Sequence, residues 1–293
     1  MIIVITGPTG VGKTKLSINL AKKYHAIIVN ADSMQIYKGL DIGTAKIKAD
    51  EKENIPHYLF DIKEVKDEYT IFDYQKDVRK ILKDYQNKNV LLVGGSSLYI
   101  KAALYNYNFK EEKKHYNFAN YSNEELYNKL IKLDKNIIID KNNRRRVERA
   151  LEYILNNNES INTNNQGNKL LYDTIFIGLT TDRKELYTII NDRVDKMVQN
   201  GLFEEVKQFY DKKIYTKPLI NGIGYKELYK YFNKEISLED AIELIKRNSR
   251  RYAKRQYTFF NNQFNNIKWL DVNFYNFNET YQEALNYFKG END

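Results

Sequence analysis

The most constraining feature of the chain lies at its start. Five residues in, the apolar run Ile2-Ile3-Val4-Ile5 opens into Gly7-Pro8-Thr9-Gly10-Val11-Gly12-Lys13-Thr14, and a helical pattern begins at once, with Leu16, Ile18 and Leu20 apolar. This is G-x-x-x-x-G-K-[ST] in its required setting, a buried strand before it and a helix after it. Glycines let successive backbone N–H groups turn toward one oxyanion, and the helix start adds the positive end of its dipole. Gly7, Pro8, Thr9, Gly10, Val11, Gly12, Lys13 and Thr14 are therefore read as a phosphate or diphosphate cradle. Lys13 supplies a point charge, and the Thr14 hydroxyl can reach a phosphate oxygen or a Mg²⁺.

Ala26–Asn30 reads as a second buried strand and Val90–Val93 as a third, with a helical pattern over Phe72–Gln86 between them. Short continuous apolar strands alternating with helices predict an α/β fold, a P-loop NTPase-like parallel sheet covered by helices on both faces. Asp173–Leu179 predicts a further strand. Asp182 and Ser237 stand at helix-start spacing from Glu185 and Asp240. The 104–140 stretch is patterned more weakly around a predicted helix at Asn123–Leu133, and reads as a short, mainly helical insertion. The expected division is a core of 1–103 and 141–293 with an insertion at 104–140. Asn156–Lys169 is nearly free of apolar residues and predicts a surface loop.

Composition narrows the function. Cysteine is absent and histidine occurs three times, which excludes a disulfide scaffold, thiolate metal sites and a Cys nucleophile. No apolar run is long enough to span a bilayer, and the N-terminus lacks the regions of a signal peptide. A cytoplasmic protein without membrane attachment is expected. Lys+Arg 47 against Asp+Glu 39 leaves +8, a mild pull toward a polyanion. Arginine is scarce, but ten of the eleven lie beyond residue 143, where a planar fork suits phosphate. Arg144, Arg145, Arg146 and Arg149 crowd one helix. Lys246, Arg250 and Lys254 recur at i, i+4 and i+8 on another, with Arg247, Arg251 and Arg255 on the neighbouring row. Such rows suit a nucleic-acid backbone, with Tyr252 or Phe259 available to stack on a base.

The chemistry at the cradle turns on what is missing. An ATPase usually carries an acidic residue at the end of a further strand, whereas Val90–Val93 ends in Gly94-Gly95-Ser96-Ser97. Asp32, at the end of the second strand, is the carboxylate near the loop; from its position it holds a metal, accepts a proton or closes a turn. A small-molecule kinase with Asp32 as base and a non-catalytic RNA-binding protein both remain open at this point.

Several phrases then occur together and in order: Gly7–Thr14, Asp32-Ser33-Met34-Gln35-Ile36-Tyr37, Ile42-Gly43-Thr44-Ala45-Lys46, Pro56-His57-Tyr58-Leu59-Phe60-Asp61 and Val93-Gly94-Gly95-Ser96-Ser97-Leu98-Tyr99. Arg144 to Glu152, Arg193-Val194-Asp195-Lys196-Met197, Gly222 to Glu227 and Tyr252-Ala253-Lys254-Arg255-Gln256 complete them. In these the chain resembles the tRNA dimethylallyltransferases (isopentenyltransferases). It departs at Ser96, where a Thr is usual, at Tyr58, where a second His is common, and in a shorter stretch between Tyr99 and Arg144. The resemblance implies transfer of a dimethylallyl group from its diphosphate to N6 of the adenosine 3′ of the anticodon. It implies Asp32 as base and Ser96 as a positioning hydroxyl, with Arg193 joining the loop on the diphosphate and Mg²⁺ at Thr14. Ser33, Met34, Gln35, Arg145, Arg146, Arg149, Lys254, Arg255 and Gln256 are then expected at the tRNA anticodon stem-loop, and the enzyme is expected to act as a monomer. A pattern label would name the loop an ATP site; the sequence contains nothing that requires ATP.

Overall fold

In a computed structural model of the chain, described over residues 1–107, 109, 114–161 and 169–290, the elements run in the order β1 (Ile2–Thr6), α1 (Lys13–Tyr24), β2 (Ile27–Asn30), β3 (His57–Tyr58), α2 (Ile71–Asp84), β4 (Val90–Val93) and α3 (Ser97–Leu104). They continue with α4 (Asn123–Leu133), α5 (Arg144–Asn157), β5 (Thr174–Thr180), α6 (Arg183–Gln199), α7 (Leu202–Asp211), α8 (Lys217–Asn221) and α9 (Tyr225–Phe232). The chain closes with α10 (Leu238–Gln263), β6 (Ile267–Asp271) and α11 (Phe277–Gly290).

The chain divides into two compact units, Met1–Leu104 with Tyr172–Asp293, and Tyr105–Leu171. The first carries the sheet. Its strands lie in the order β3-β2-β4-β1-β5-β6, and every pairing is parallel. Strand β1 is near the centre because its neighbours bury it from both sides: Ile3, Val4 and Ile5 have no exposed surface. Burying each such side chain is worth about 1.5–3 kcal/mol. With that anchoring, the chain leaves the C-terminal end of β1 directly into the glycine loop. Gly7 is needed there, since it sits at φ +136° and a Cβ would lie 2.4 Å from the Leu179 carbonyl oxygen. The predicted α/β parallel sheet is thus the observed one. Among the described residues, no helix is long and apolar enough to cross a membrane.

The helix starts at Asp182 and Ser237 are as expected. Asp182 accepts from the N–H groups of Lys184 and Glu185, and Ser237 from that of Asp240. The helix that Ser237 opens is not the last element. Strand β6, beside β5, and helix α11, on β6 and α1, follow it and were not anticipated.

The second unit has its own small core, in which Leu126 and Leu130 of α4 meet Val147, Ala150, Leu151 and Ile154 of α5. This corrects the expected boundary: residues 141–171 belong with the insertion, because the apolar stripe of α5 is covered by α4. The Asn123–Leu133 helix keeps its expected bounds and is closed by a capping box between Ser122 and Glu125. Of the polar loop expected at Asn156–Lys169, residues 162–168 lie outside the described residues.

Candidate active site

At the C-terminal ends of β1, β2 and β4, the first unit holds a cavity of about 630 Å³. That is ample for a small ligand with part of a larger one, since typical ligand sites run to about 300–1,000 Å³. Thr9, Gly10, Gly12, Lys13 and Thr14 line it together with Asp32, Ser33, Met34 and Gln35, Arg193 of α6 and Tyr252, Arg255 and Gln256 of α10. The strand ends and two long helices therefore gather most of the sequence-predicted diphosphate, base and adjacent residues around one space. Gly7, Pro8 and Val11 shape the loop from behind, and Val11 has no exposed surface.

The cradle is built for an anion. Lys13 Nζ donates to the carbonyl oxygens of Gly7 (3.0 Å) and Pro8 (2.7 Å), so the lysine is folded back over its own loop. Burial, together with the nearby Arg193 guanidinium, pulls its pKa down to about 7, against the opposing attraction of Asp32. Arg193 is also pushed down from its ordinary value, by burial first, with Asp32 again opposing. With Lys13 and Arg193 beside the single lining carboxylate, Asp32, this end of the cavity is short of negative charge.

Asp32 is held by a local network. Its backbone N–H donates to Asn30 Oδ1 (2.9 Å), and Asn30 Nδ2 donates to the Asp32 and Leu59 carbonyls, both at 2.9 Å. Asn30 is fully buried, and the Tyr74 hydroxyl donates to its carbonyl at 2.9 Å. Asp32 Oδ1 accepts from the Met34 N–H at 2.9 Å. The turn role and the cavity role thus coexist: the Asx turn fixes the direction in which the carboxylate enters the space.

Ser96 is positioned differently from expectation. It is not among the residues lining the cavity; its Oγ accepts from the Ser33 N–H at 3.0 Å and donates to Ser33 Oγ at 3.3 Å. Burial with the charge of Asp32 holds the Tyr252 phenol well above the ordinary range, against the opposing pull of Ser96, Arg255 and Gln256 beside it. Ser96 therefore ties the Asp32–Ser33 turn to the segment that follows β4.

Gln256, expected at the RNA, has both ends of its amide engaged within the protein. Oε1 accepts from the Thr9 N–H (3.2 Å) and Nε2 donates to the Gly95 carbonyl (3.0 Å), with the side chain buried. It clamps the phosphate loop to the end of β4. The interlock is tight, since a Cβ on Gly95 would stand 2.0 Å from Gln256 Nε2.

The cationic rows also need correction. Lys246 pairs with Asp195 (2.8 Å) and Glu243 (3.3 Å), and Arg250 Nη1 donates to Asn191 Oδ1 (2.5 Å), so these two residues of α10 face α6. Arg247, Arg251, Lys254 and Arg255 are exposed. In the second unit, Arg144 is engaged by Glu148 and by the carbonyls of Phe118 and Tyr121, whereas Arg145, Arg146 and Arg149 are exposed.

Two features were missed, one lining the cavity and one behind it. His57 borders the cavity, its imidazole pushed down by burial and donating from Nδ1 to the Ile55 carbonyl at 2.7 Å. Glu205 of α7, buried, accepts from three consecutive N–H groups of the 41–43 loop. The sequence phrase around Gly43 signalled a special loop, but nothing in it pointed to a partner 162 residues away. Among the described residues, no group of three or more His, Asp or Glu side chains is placed to hold a metal ion. The oxygen donors of Thr14 and Asp32 line the cavity together, a sparse hard set that suits a cation taking its remaining ligands from phosphate and water.

The model of the IPP transferase family matches residues 35–263. The chain is 45% identical over 285 residues to a tRNA dimethylallyltransferase of Bacillus subtilis, covering 92% of this chain and 90% of that one. It is 43% identical to one from Anoxybacillus flavithermus, covering 99% and 96%. Among solved structures, the full-length tRNA isopentenylpyrophosphate transferase of Bacillus halodurans superposes with a TM-score of 0.77 at 38% identity, over 99% of this chain and 95% of that one. A eukaryotic dimethylallyltransferase acting on tRNA gives 0.82 at 31% identity, over 92% and 73%. A cradle with a carboxylate across from it, and likeness along nearly the whole length, lead to one assignment: the chain is a transferase enzyme of the IPP transferase family.

Proposed function

We propose that the chain transfers a dimethylallyl group from dimethylallyl diphosphate to N6 of the adenosine 3′ of a tRNA anticodon, releasing diphosphate. The observation that carries this reading is the opposition of a cationic phosphate cradle and a fixed carboxylate across one cavity. In a prenyl transfer the bond from the allylic carbon to the bridging oxygen breaks as the bond to N6 forms, and negative charge grows on the departing diphosphate. Lys13, Arg193 and the loop N–H groups meet that growing charge, so their attraction is stronger in the transition state than before it. Thr14, with oxygens of the diphosphate, would hold Mg²⁺, which when bound neutralises part of the leaving group's charge. No strand-end carboxylate is needed, because no water has to be aimed at a phosphorus atom.

The exocyclic amine of adenine is a weak nucleophile, its lone pair being delocalised into the ring. Asp32 takes its proton as the C–N bond forms, and Ser96 holds the turn that carries Asp32 through its bonds to Ser33. The adenine leaves the anticodon-loop stack to reach the cavity, where Ser33, Met34 and Gln35 form the adjoining wall. Exposed Arg145, Arg146, Arg149, Lys254 and Arg255 meet the RNA backbone. Such a substrate places the work in the cytoplasm.

The test is incubation with Mg²⁺, an unmodified anticodon stem-loop and either carbon-labelled dimethylallyl diphosphate or γ-labelled ATP. Carbon label on the RNA is the expected result. Phosphoryl transfer from ATP would replace this reading with a kinase, and RNA binding without any transfer would replace it with a binding protein.

A further inference from the structure

We infer that Glu205 is a positioning residue for the purine side of the cavity, acting through the 41–45 loop and Gln35; this rests on the prenyl-transfer reading above. Glu205 is buried near the start of α7. Its Oε2 accepts from the N–H groups of Asp41 (3.0 Å) and Ile42 (2.6 Å), and its Oε1 from the Gly43 N–H (3.0 Å) and the Tyr225 hydroxyl (2.6 Å). Three consecutive backbone donors converging on one anion form a nest of the kind that elsewhere binds a phosphate. Here the protein fills it with its own carboxylate.

A buried carboxylate is costly unless its bonds are well made. Four are made here, three of them to the backbone of the 41–43 loop. Gly43, Thr44 and Ala45 of that loop line the cavity, and Gln35 Nε2 donates to the Thr44 carbonyl at 3.0 Å. Fixing one end of the Gln35 amide fixes the direction of the other. The loop is also pressed from behind: a Cβ on Gly43 would meet the Tyr225 ring and hydroxyl at 2.7 Å. A chain of contacts thus runs from α7 through Glu205 and the loop to Gln35, on the wall next to Asp32. The phosphate loop is not part of it.

This predicts a split between the two substrates. Glu205→Gln puts an amide N–H₂ against at least one backbone donor, so the loop loses part of its anchor while the side chain keeps its size. The KM for an anticodon stem-loop should rise about tenfold or more, as a small displacement of a substrate-positioning wall does. The KM and binding constant for dimethylallyl diphosphate should stay as in the unmodified chain. Gly43→Ala, which leaves Glu205 in place, should give the same split, and the two together should be less than additive. Glu204→Gln, a like change at the neighbouring exposed position, should change neither constant. Hydrogen exchange at the 41–43 amides, faster in Glu205→Gln, reads the anchoring independently of turnover. An unchanged KM for RNA with a lower melting temperature or lower kcat would overturn the inference, as would unchanged exchange at those amides. Absence of transfer by the unmodified chain would instead strike the prenyl-transfer reading.

Discussion

Binding of dimethylallyl diphosphate should draw a proton from solution, and the proton should land on Lys13. The free protein holds this ammonium in a buried position beside Arg193, with a pKa of about 7. At pH 8 only about a tenth of the molecules then carry the charge. A bound diphosphate supplies several oxyanions at the same place and restores the ordinary preference for the charged form. Binding at pH 8 should therefore take up about 0.9 proton, and above pH 7 the affinity should fall about tenfold per unit, about 1.4 kcal/mol each. At pH 8 the ligand is already fully ionised, its last proton leaving near pH 6, and His57, pushed down by burial, is neutral. The assay is calorimetry in buffers of differing ionisation enthalpy, with no RNA present so that nothing turns over. The apparent enthalpy should depend on the buffer at pH 8, and that dependence should vanish in Lys13→Met. Enthalpies that do not change with buffer in the unmodified chain would refute the argument.

The same lysine affects stability. Its folded pKa lies below the unfolded value near 10.4, so between about pH 7 and 10 the unfolded state binds more protons and stability rises with pH; the melting temperature relative to Lys13→Met should climb from pH 7 to pH 9. Gln256→Ala leaves the Thr9 N–H and the Gly95 carbonyl without their partner, a cost of about 1–3 kcal/mol; it should weaken diphosphate binding measurably, read by the same calorimetry, while leaving the salt dependence of RNA binding as it was. Replacing Arg145, Arg146 and Arg149 together by Gln should lower RNA affinity and flatten the plot of log affinity against log salt by about 2 to 3, with dimethylallyl diphosphate binding unchanged.

Much of the sheet and the cradle was legible in the sequence, because both rest on local rules. Val4 and Ile5 lie in an unbroken apolar run, the glycines recur at motif spacing, and Asp182 and Ser237 stand at helix starts. What escaped depends on partners. Strand β6 reads IKWLD and is partly exposed at the edge of the sheet, so it lacks the apolar run that marks β1 or β4. The stripe of Val147, Leu151 and Ile154 announces that α5 is covered but not by what, and the answer, α4, moved the boundary of the insertion to 171. On α10 the spacing of Lys246 and Arg250 defined a row correctly but not its direction; Asp195 and Asn191 on α6 turn it inward. Gln256 and Glu205 are side chains whose meaning lies in backbone groups far away in sequence, at Thr9, Gly95 and Asp41–Gly43, and no pattern along the chain encodes that.

The claim that a carboxylate across from the cradle takes the proton of the attacking amine is tested most directly by the single-turnover rate of Asp32→Asn, with an anticodon stem-loop and dimethylallyl diphosphate both saturating. The account predicts that both substrates still bind and that the chemical step slows by a factor of about 10² or more. A rate equal to that of the unmodified enzyme would contradict it.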